Sequence, residues 1–131
     1  MDKQQQEEGT LCAIDFAKRG GLVPAVVQDV GDGCILMLAY VNAQALQATL
    51  DKGMATFWST SRHCLWTKGE TSGDYLQMVE VLVDCDQDAL IYRVRPQGAG
   101  ACHTRDPVTA KARSSCFYRR LRPRDQALEF L

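Results

Sequence analysis

In the segment ALIYRVR, Leu90, Tyr92 and Val94 fall on one side of an extended backbone while Ile91, Arg93 and Arg95 fall on the other. Side chains of a strand alternate between its two faces, so this is a strand with one apolar face that the rest of the chain has to cover. The same demand recurs along the sequence. LVPAVVQD and CILMLAY are apolar runs separated by the turn residues Gly31, Asp32 and Gly33, which predicts two strands joined by a tight hairpin. Further strand signals are ATFWS, the segment around CLW, the long YLQMVEVLVD and CFYRRL. Pro24 has no amide hydrogen to give to a ladder and is expected at a sheet edge or a bulge.

Helical signals are few. Asn42 is a good N-cap, Val41 and Leu46 stand at the staple positions, Leu46 and Leu50 share a face, and Gly53 suits the C-terminal stop. Thr10 to Lys18 carries Leu11 and Ile14 at helical spacing over a shorter stretch. Six or so strands with one or two short helices predict an α+β fold, mainly antiparallel sheet. The polar residues 1–9 have the composition of a flexible tail, which leaves residues 10–131 as one domain whose 46% apolar content suffices for a core.

Fifteen basic and sixteen acidic side chains leave a net charge of -1, so no global field draws the chain to nucleic acid or to a membrane surface. The start MDKQQQEEGT is unlike a secretory signal, and no run reaches the roughly 18 apolar residues of a membrane span, so a cytoplasmic location is expected. In a reducing compartment the six cysteines are then core residues or metal ligands rather than disulfides. Cys12, Cys34 and Cys64 lie among apolar neighbours and are expected in the core. His63 is expected to be structural or exposed.

Three segments carry chemistry. Asp84-Cys85-Asp86-Gln87-Asp88, if extended, gathers three carboxylates on one face and sends Cys85 to the other. Such a cluster either holds a hard cation such as magnesium or calcium or is a solvated acidic turn. An EF-hand loop is excluded, because Ala89 and Arg95 stand where that loop needs glycine and glutamate. Cys85, Cys102 and Cys116 are soft ligands, although their spacing matches neither a zinc ribbon nor a redox C-x-x-C. Three protein ligands with one open position make a catalytic zinc site and four make a structural one, so His103 decides between proton transfer and ligation. The third segment, Trp66 to Asp74, combines Lys68, Thr71, Ser72, two glycines and exposed amides, with Arg62 just upstream. It reads as a phosphate cradle or as an ordinary polar turn. It lacks the Walker order.

Taken together, GLVPAVVQD, LMLAYVN, ATFWSTSR, LWTKGETSGD, VDCDQDAL, ACHT and SCFYR, in this order between about Gly21 and Arg119, resemble the phosphoribosyl-AMP cyclohydrolase family of histidine biosynthesis. The resemblance implies hydrolysis of the N1–C6 bond in the adenine ring of 1-(5-phosphoribosyl)-AMP by a zinc-activated water. It also implies an intertwined homodimer with shared zinc sites, Cys85 coming from one chain and Cys102 and Cys116 from the other, and magnesium at Asp84, Asp86 and Asp88. His103 is then expected to shuttle a proton, while Arg62, Lys68, Thr71 and Ser72 hold a phosphate. Two departures stand out. Asp74 replaces an expected asparagine, and the stretch from Cys102 to Cys116 is longer than the family spacing, with the excess within Arg105 to Ala112. The rival reading is a non-catalytic zinc module. A nucleobase deaminase lacks support, since the H-x-E and P-C-x-x-C signatures are missing, and a thiol redox protein lacks a C-x-x-C.

Overall fold

Val23, Ala25 and Val27 alternate along strand β1 (Val23–Asp29) and are fully buried, as the apolar period requires. In the computed structural model, which describes residues 1–131, β1 pairs antiparallel with β2 (Ile35–Val41) as the hairpin signal predicts. The register slips between Val27 and Gln28, whose partners are Met37 and Ile35, so Leu36 is an extra residue on β2. A bulge of this kind breaks the two-residue alternation and lets Leu36 and Met37 both be buried. It also frees a carbonyl that matters below.

The predicted helix is α2 (Ala43–Lys52), with the Asn42 side chain accepting the Ala45 amide and Gly53 closing the helix in a left-handed conformation at φ 72°. Next come the hairpin of β3 (Thr56–Ser59) and β4 (Cys64–Thr67), then β5 (Leu76–Val83) and β6 (Leu90–Pro96). β5 and β6 are antiparallel, but β6 runs parallel to β1, giving one sheet in the order β2-β1-β6-β5. Leu90, Tyr92 and Val94 face the core, as their alternation predicts. Tyr92 packs on Phe57 at a centroid distance of 5.6 Å, and Phe57 packs on Trp66 at 5.0 Å, so the β3–β4 hairpin is tied to the sheet by aromatic contacts. The architecture is α+β and mostly antiparallel, with two α-helices. No helix is long and apolar enough to cross a membrane.

The structure corrects several local expectations. Pro24 lies in an interior strand rather than at a sheet edge; it escapes the ladder penalty because pairing with β6 begins only at Ala25. Residues 3–8, within the expected tail, form α1 (Lys3–Glu8), started by a capping box between Asp2 and Gln5. Thr10 to Lys18 is not a helix: the Ala13 amide is taken by Gln87 Oε1 and the Asp15 amide by the Gln87 carbonyl, leaving only a 3-10 turn at Ala17–Arg19. CFYRRL gives just β7 (Arg119–Leu121), paired with a strand the sequence pattern did not reveal, β8 (Leu128–Phe130). Cys12, Cys34 and Cys64 are exposed rather than in the core. They lie in the extended N-terminal segment, at the hairpin turn where the Cys34 amide bonds Asp32, and on a two-stranded hairpin.

Candidate active site

The loop after β4 begins with Lys68 and turns back on itself at Gly69, whose φ of 96° and tight approach to the Tyr75 backbone exclude any side chain there. That turn brings Lys68, Thr71 and Ser72 to an open cavity of about 270 Å³, across which stand Cys102 and His103. Arg62, from the β3–β4 turn, and Trp66 complete the wall, with Arg105 and Ala112 at one rim. The four residues singled out as phosphate ligands thus meet the Cys-His pair at one place. They are separated from it by 30 or more positions in sequence.

Asp74 makes this meeting rigid. Its Oδ1 accepts the Ala99 amide at 2.9 Å, and its own amide donates to Ser72 Oγ at 3.1 Å, so it joins the Thr71–Ser72 turn to the loop that leads into Cys102. Gly98 packs so closely on Asp74 that a Cβ at that position has no room.

Cys102 and Cys116 reach one another by separate routes. Cys102 is buried at the foot of a hairpin in which its amide donates to the Arg113 carbonyl and the Arg113 amide to the Thr104 carbonyl. The Cys116 amide instead donates to the carbonyl of Leu36, the extra residue of the β2 bulge, at 2.7 Å, and Ser115 Oγ donates to the Ile35 carbonyl at 2.7 Å. Residues 105–112 lie outside these bonds. They form a loop closed on itself by the Arg105–Ala112 bridge and by Asp106, whose amide donates to the Lys111 carbonyl and whose carboxylate caps the Val108 amide.

The two thiols are pushed in opposite directions by their surroundings. Burial pushes the Cys102 thiol up, but hydrogen bonds from the Thr104 hydroxyl and amide, from Cys116 and the nearby Arg113 charge outweigh it, so the group ends below the ordinary thiol range. Cys116 is exposed as a residue, yet its sulfur is desolvated beside Cys102, and with that neighbour's hydrogen bond and charge it is pushed up to about 11.

The acidic segment is a turn, not an extended strand, with Gln87 at φ 57°. The alternation expected for it therefore fails. Asp84 Oδ1 accepts the amides of Asp88 and Ala89, and ligand atoms of Asp84, Cys85 and Asp86 lie within 4.8 Å of one another, placing Cys85 with two carboxylates rather than opposite all three. Burial raises Asp84, as do the neighbouring Asp88 and Asp86 carboxylates, against the amide bonds that lower it. Asp88 turns to Lys18, which sits 2.7 Å from it and 3.2 Å from Asp86, and Arg19 lies 3.4 Å away. The hydrogen bond from Lys18 is the largest cause holding Asp88 far below the usual carboxylate range. No set of three ligand atoms combines Cys102, Cys116 and either Cys85 or His103 within one chain, and His103 is exposed.

A model of the phosphoribosyl-AMP cyclohydrolase family matches residues 37–118. The chain is 53% identical to a phosphoribosyl-AMP cyclohydrolase of Sphingopyxis alaskensis over 100% of its own length and 95% of that relative. It is 54% identical to one of Hyphomonas neptunium over 77% of this chain and 71% of the relative. This chain belongs to the phosphoribosyl-AMP cyclohydrolase family. It is also 49% identical to a histidine biosynthesis bifunctional protein of Thermus thermophilus, covering 92% of this chain and 52% of that protein. Like its relatives, this phosphoribosyl-AMP cyclohydrolase family member is an enzyme of histidine biosynthesis. The span matched to the cyclohydrolase family holds the whole cavity and the acidic turn, but not Lys18 or Arg19. Sequence reasoning missed Lys18, Thr104 and Arg113 as groups around the site. Only the basic pair before Gly20 gave a sign of Lys18, and nothing local marked its distant partners.

Proposed function

We propose that this chain hydrolyses the N1–C6 bond of the adenine ring of 1-(5-phosphoribosyl)-AMP as a cytoplasmic homodimer that uses zinc and magnesium. The observation that carries this reading is the single cavity joining Cys102 and His103 to Lys68, Arg62, Thr71 and Ser72. A phosphorylated substrate needs cations and hydroxyls at one end of its site and a reacting centre at the other. The cavity offers both.

The donor sets fit the two metals. Cys102 and Cys116, whose sulfurs are brought side by side from separate anchors, would hold zinc together with Cys85 of the partner subunit. That Cys85 lies with Asp84 and Asp86, and not with the other two thiols of its own chain, supports a site completed across a dimer. So do the exposed apolar side chains of Leu38 and Tyr40 on β2 and Leu82 and Val83 on β5, which a partner would cover. At Asp84, Asp86 and Asp88 the donors are hard oxygens, and the Lys18 ammonium already stands where positive charge is wanted; magnesium fits this set. Zinc, when bound, makes water nucleophilic near neutral pH.

The chain's own groups do the rest. Ribosylation at N1 leaves the purine cationic and C6 electron-poor, so C6 is the atom open to attack by water. Lys68 and Arg62 neutralise phosphate and fix the base against Trp66, while the hydroxyls of Thr71 and Ser72 orient the phosphate oxygens. His103, exposed to the cavity, takes a proton from the attacking water and gives one to N1 as the N1–C6 bond breaks. The exocyclic amine stays on C6, so the product is an imidazole carboxamide and no ammonia is released.

Incubation of the purified protein with phosphoribosyl-AMP, with and without a zinc chelator, tests the reading. Chelator-sensitive formation of the carboxamide is expected. Turnover that ignores the chelator removes zinc from the proposal, and no turnover at all removes the reaction.

A further inference from the structure

The Cys102 sulfur is not alone in its pocket. Thr104 Oγ1 lies 2.9 Å from it, and the Thr104 amide donates to it at 3.4 Å. On its other side Thr104 Oγ1 receives Arg113 Nη1 at 3.1 Å. A guanidinium can only donate, so the hydroxyl accepts from Arg113, and its single hydrogen is left for the sulfur. Arg113 is itself held: its guanidinium carbon lies 4.1 Å from the centroid of the Tyr118 ring and 5.7 Å from that of Phe130, and its backbone pairs with both Cys102 and Thr104. A thiolate, the form that ligates metal, can only accept, so toward that form the row runs one way, from Arg113 through Thr104 to Cys102.

We infer that Thr104 and Arg113 are positioning residues that orient the Cys102 sulfur for metal and withdraw electron density from it. This rests on the reading of Cys102 as a metal ligand given above. A thiolate that accepts hydrogen bonds donates less charge to a metal and holds one orientation of its lone pairs, and losing such outer contacts typically costs about 10–100-fold in metal affinity. Because the row closes the hairpin just inside the Arg105–Ala112 bridge, it also isolates Cys102 from the loop beyond.

Cobalt loading of the full-length protein tests this, since thiolate-to-cobalt charge transfer gives a band whose energy follows the electron density on sulfur. T104V keeps the side-chain shape and removes the hydroxyl; the band should move to lower energy and cobalt affinity should fall by about tenfold. T104S should restore both, and R113M should shift the band in the same direction by less. C102A supplies the baseline for cobalt bound by the exposed thiols. A band present in the parent and unmoved in T104V, or moved equally by T104S, overturns this inference alone. No thiolate band above the C102A baseline in the parent overturns the metal reading and this inference with it.

Discussion

The Asp74 carboxylate accepts the Ala99 amide at 2.9 Å, so the turn that carries Thr71 and Ser72 is tied to the loop that enters Cys102. That bond needs an oxygen acceptor and not a charge. Asp74→Asn should therefore leave turnover within about twofold, whereas Asp74→Ala, which gives the exposed Ala99 amide over to water, should raise KM and lower stability by about 0.5–1.5 kcal/mol. Steady-state kinetics and thermal unfolding of the two variants check this; a loss in Asp74→Asn as large as in Asp74→Ala would mean that the charge itself is used.

His103 and the two thiols are separable by metal content. Cys102→Ala and Cys116→Ala should each lose zinc and activity together. His103→Ala should keep its zinc and lose about 10²–10⁴-fold in turnover, the range for a missing general acid–base group. Elemental analysis beside the rate measurement decides; zinc lost from His103→Ala would make His103 a ligand.

Lys18 and a divalent cation want the same oxygens. With the ammonium 2.7 Å from Asp88 and 3.2 Å from Asp86, magnesium has to displace it or share the site. Lys18→Met should therefore bind magnesium about fivefold tighter, a modest gain because the pair is partly exposed. Calorimetric titration reads this directly, and unchanged or weaker binding would show that Lys18 supports the turn instead of competing for it.

Tyr92 provides a pH dependence independent of any metal. Its hydroxyl is buried and donates to Thr49 Oγ1 at 3.3 Å; burial, only partly offset by that bond, pushes its pKa up to about 12 from the ordinary 10.0. The folded state thus holds this proton more tightly than the unfolded one. Its contribution to stability is complete below pH 10 and is lost as pH rises from 10 toward 12. Tyr92→Phe should cost about 0.5–1.5 kcal/mol at neutral pH and flatten the fall in stability between pH 10 and 12. Denaturant melts across that range would expose a parallel fall in both proteins if Tyr92 were not responsible.

How far the sequence reached depended on the range of the forces at work. Asn42, Gly53 and the alternation in ALIYRVR are local signals, and the helix and strand they mark lie where expected. The parallel pairing of β1 with β6 joins segments some 65 positions apart, and neither segment carries a mark of its partner. The alternation expected over Asp84 to Asp88 assumes an extended backbone, whereas the two amides bonded by Asp84 curl the chain and bring Cys85 round to the carboxylates. Thr10 to Lys18 shows helical spacing, but Gln87 takes its backbone groups first. The exposed Cys12, Cys34 and Cys64 show that apolar neighbours in sequence are no guide to burial in segments without a second layer above them.

Cys116 hangs on the carbonyl that the bulge at Leu36 leaves free, and Cys102 hangs on its own hairpin, so the eight residues from Arg105 to Ala112 lie between two independent anchors. A fluorescent protein or peptide tag grafted at Val108, which is 91% exposed, would enter the chain between the two thiols without touching the tether of either. The same decoupling gives evolution a place to vary length freely beside a reactive centre.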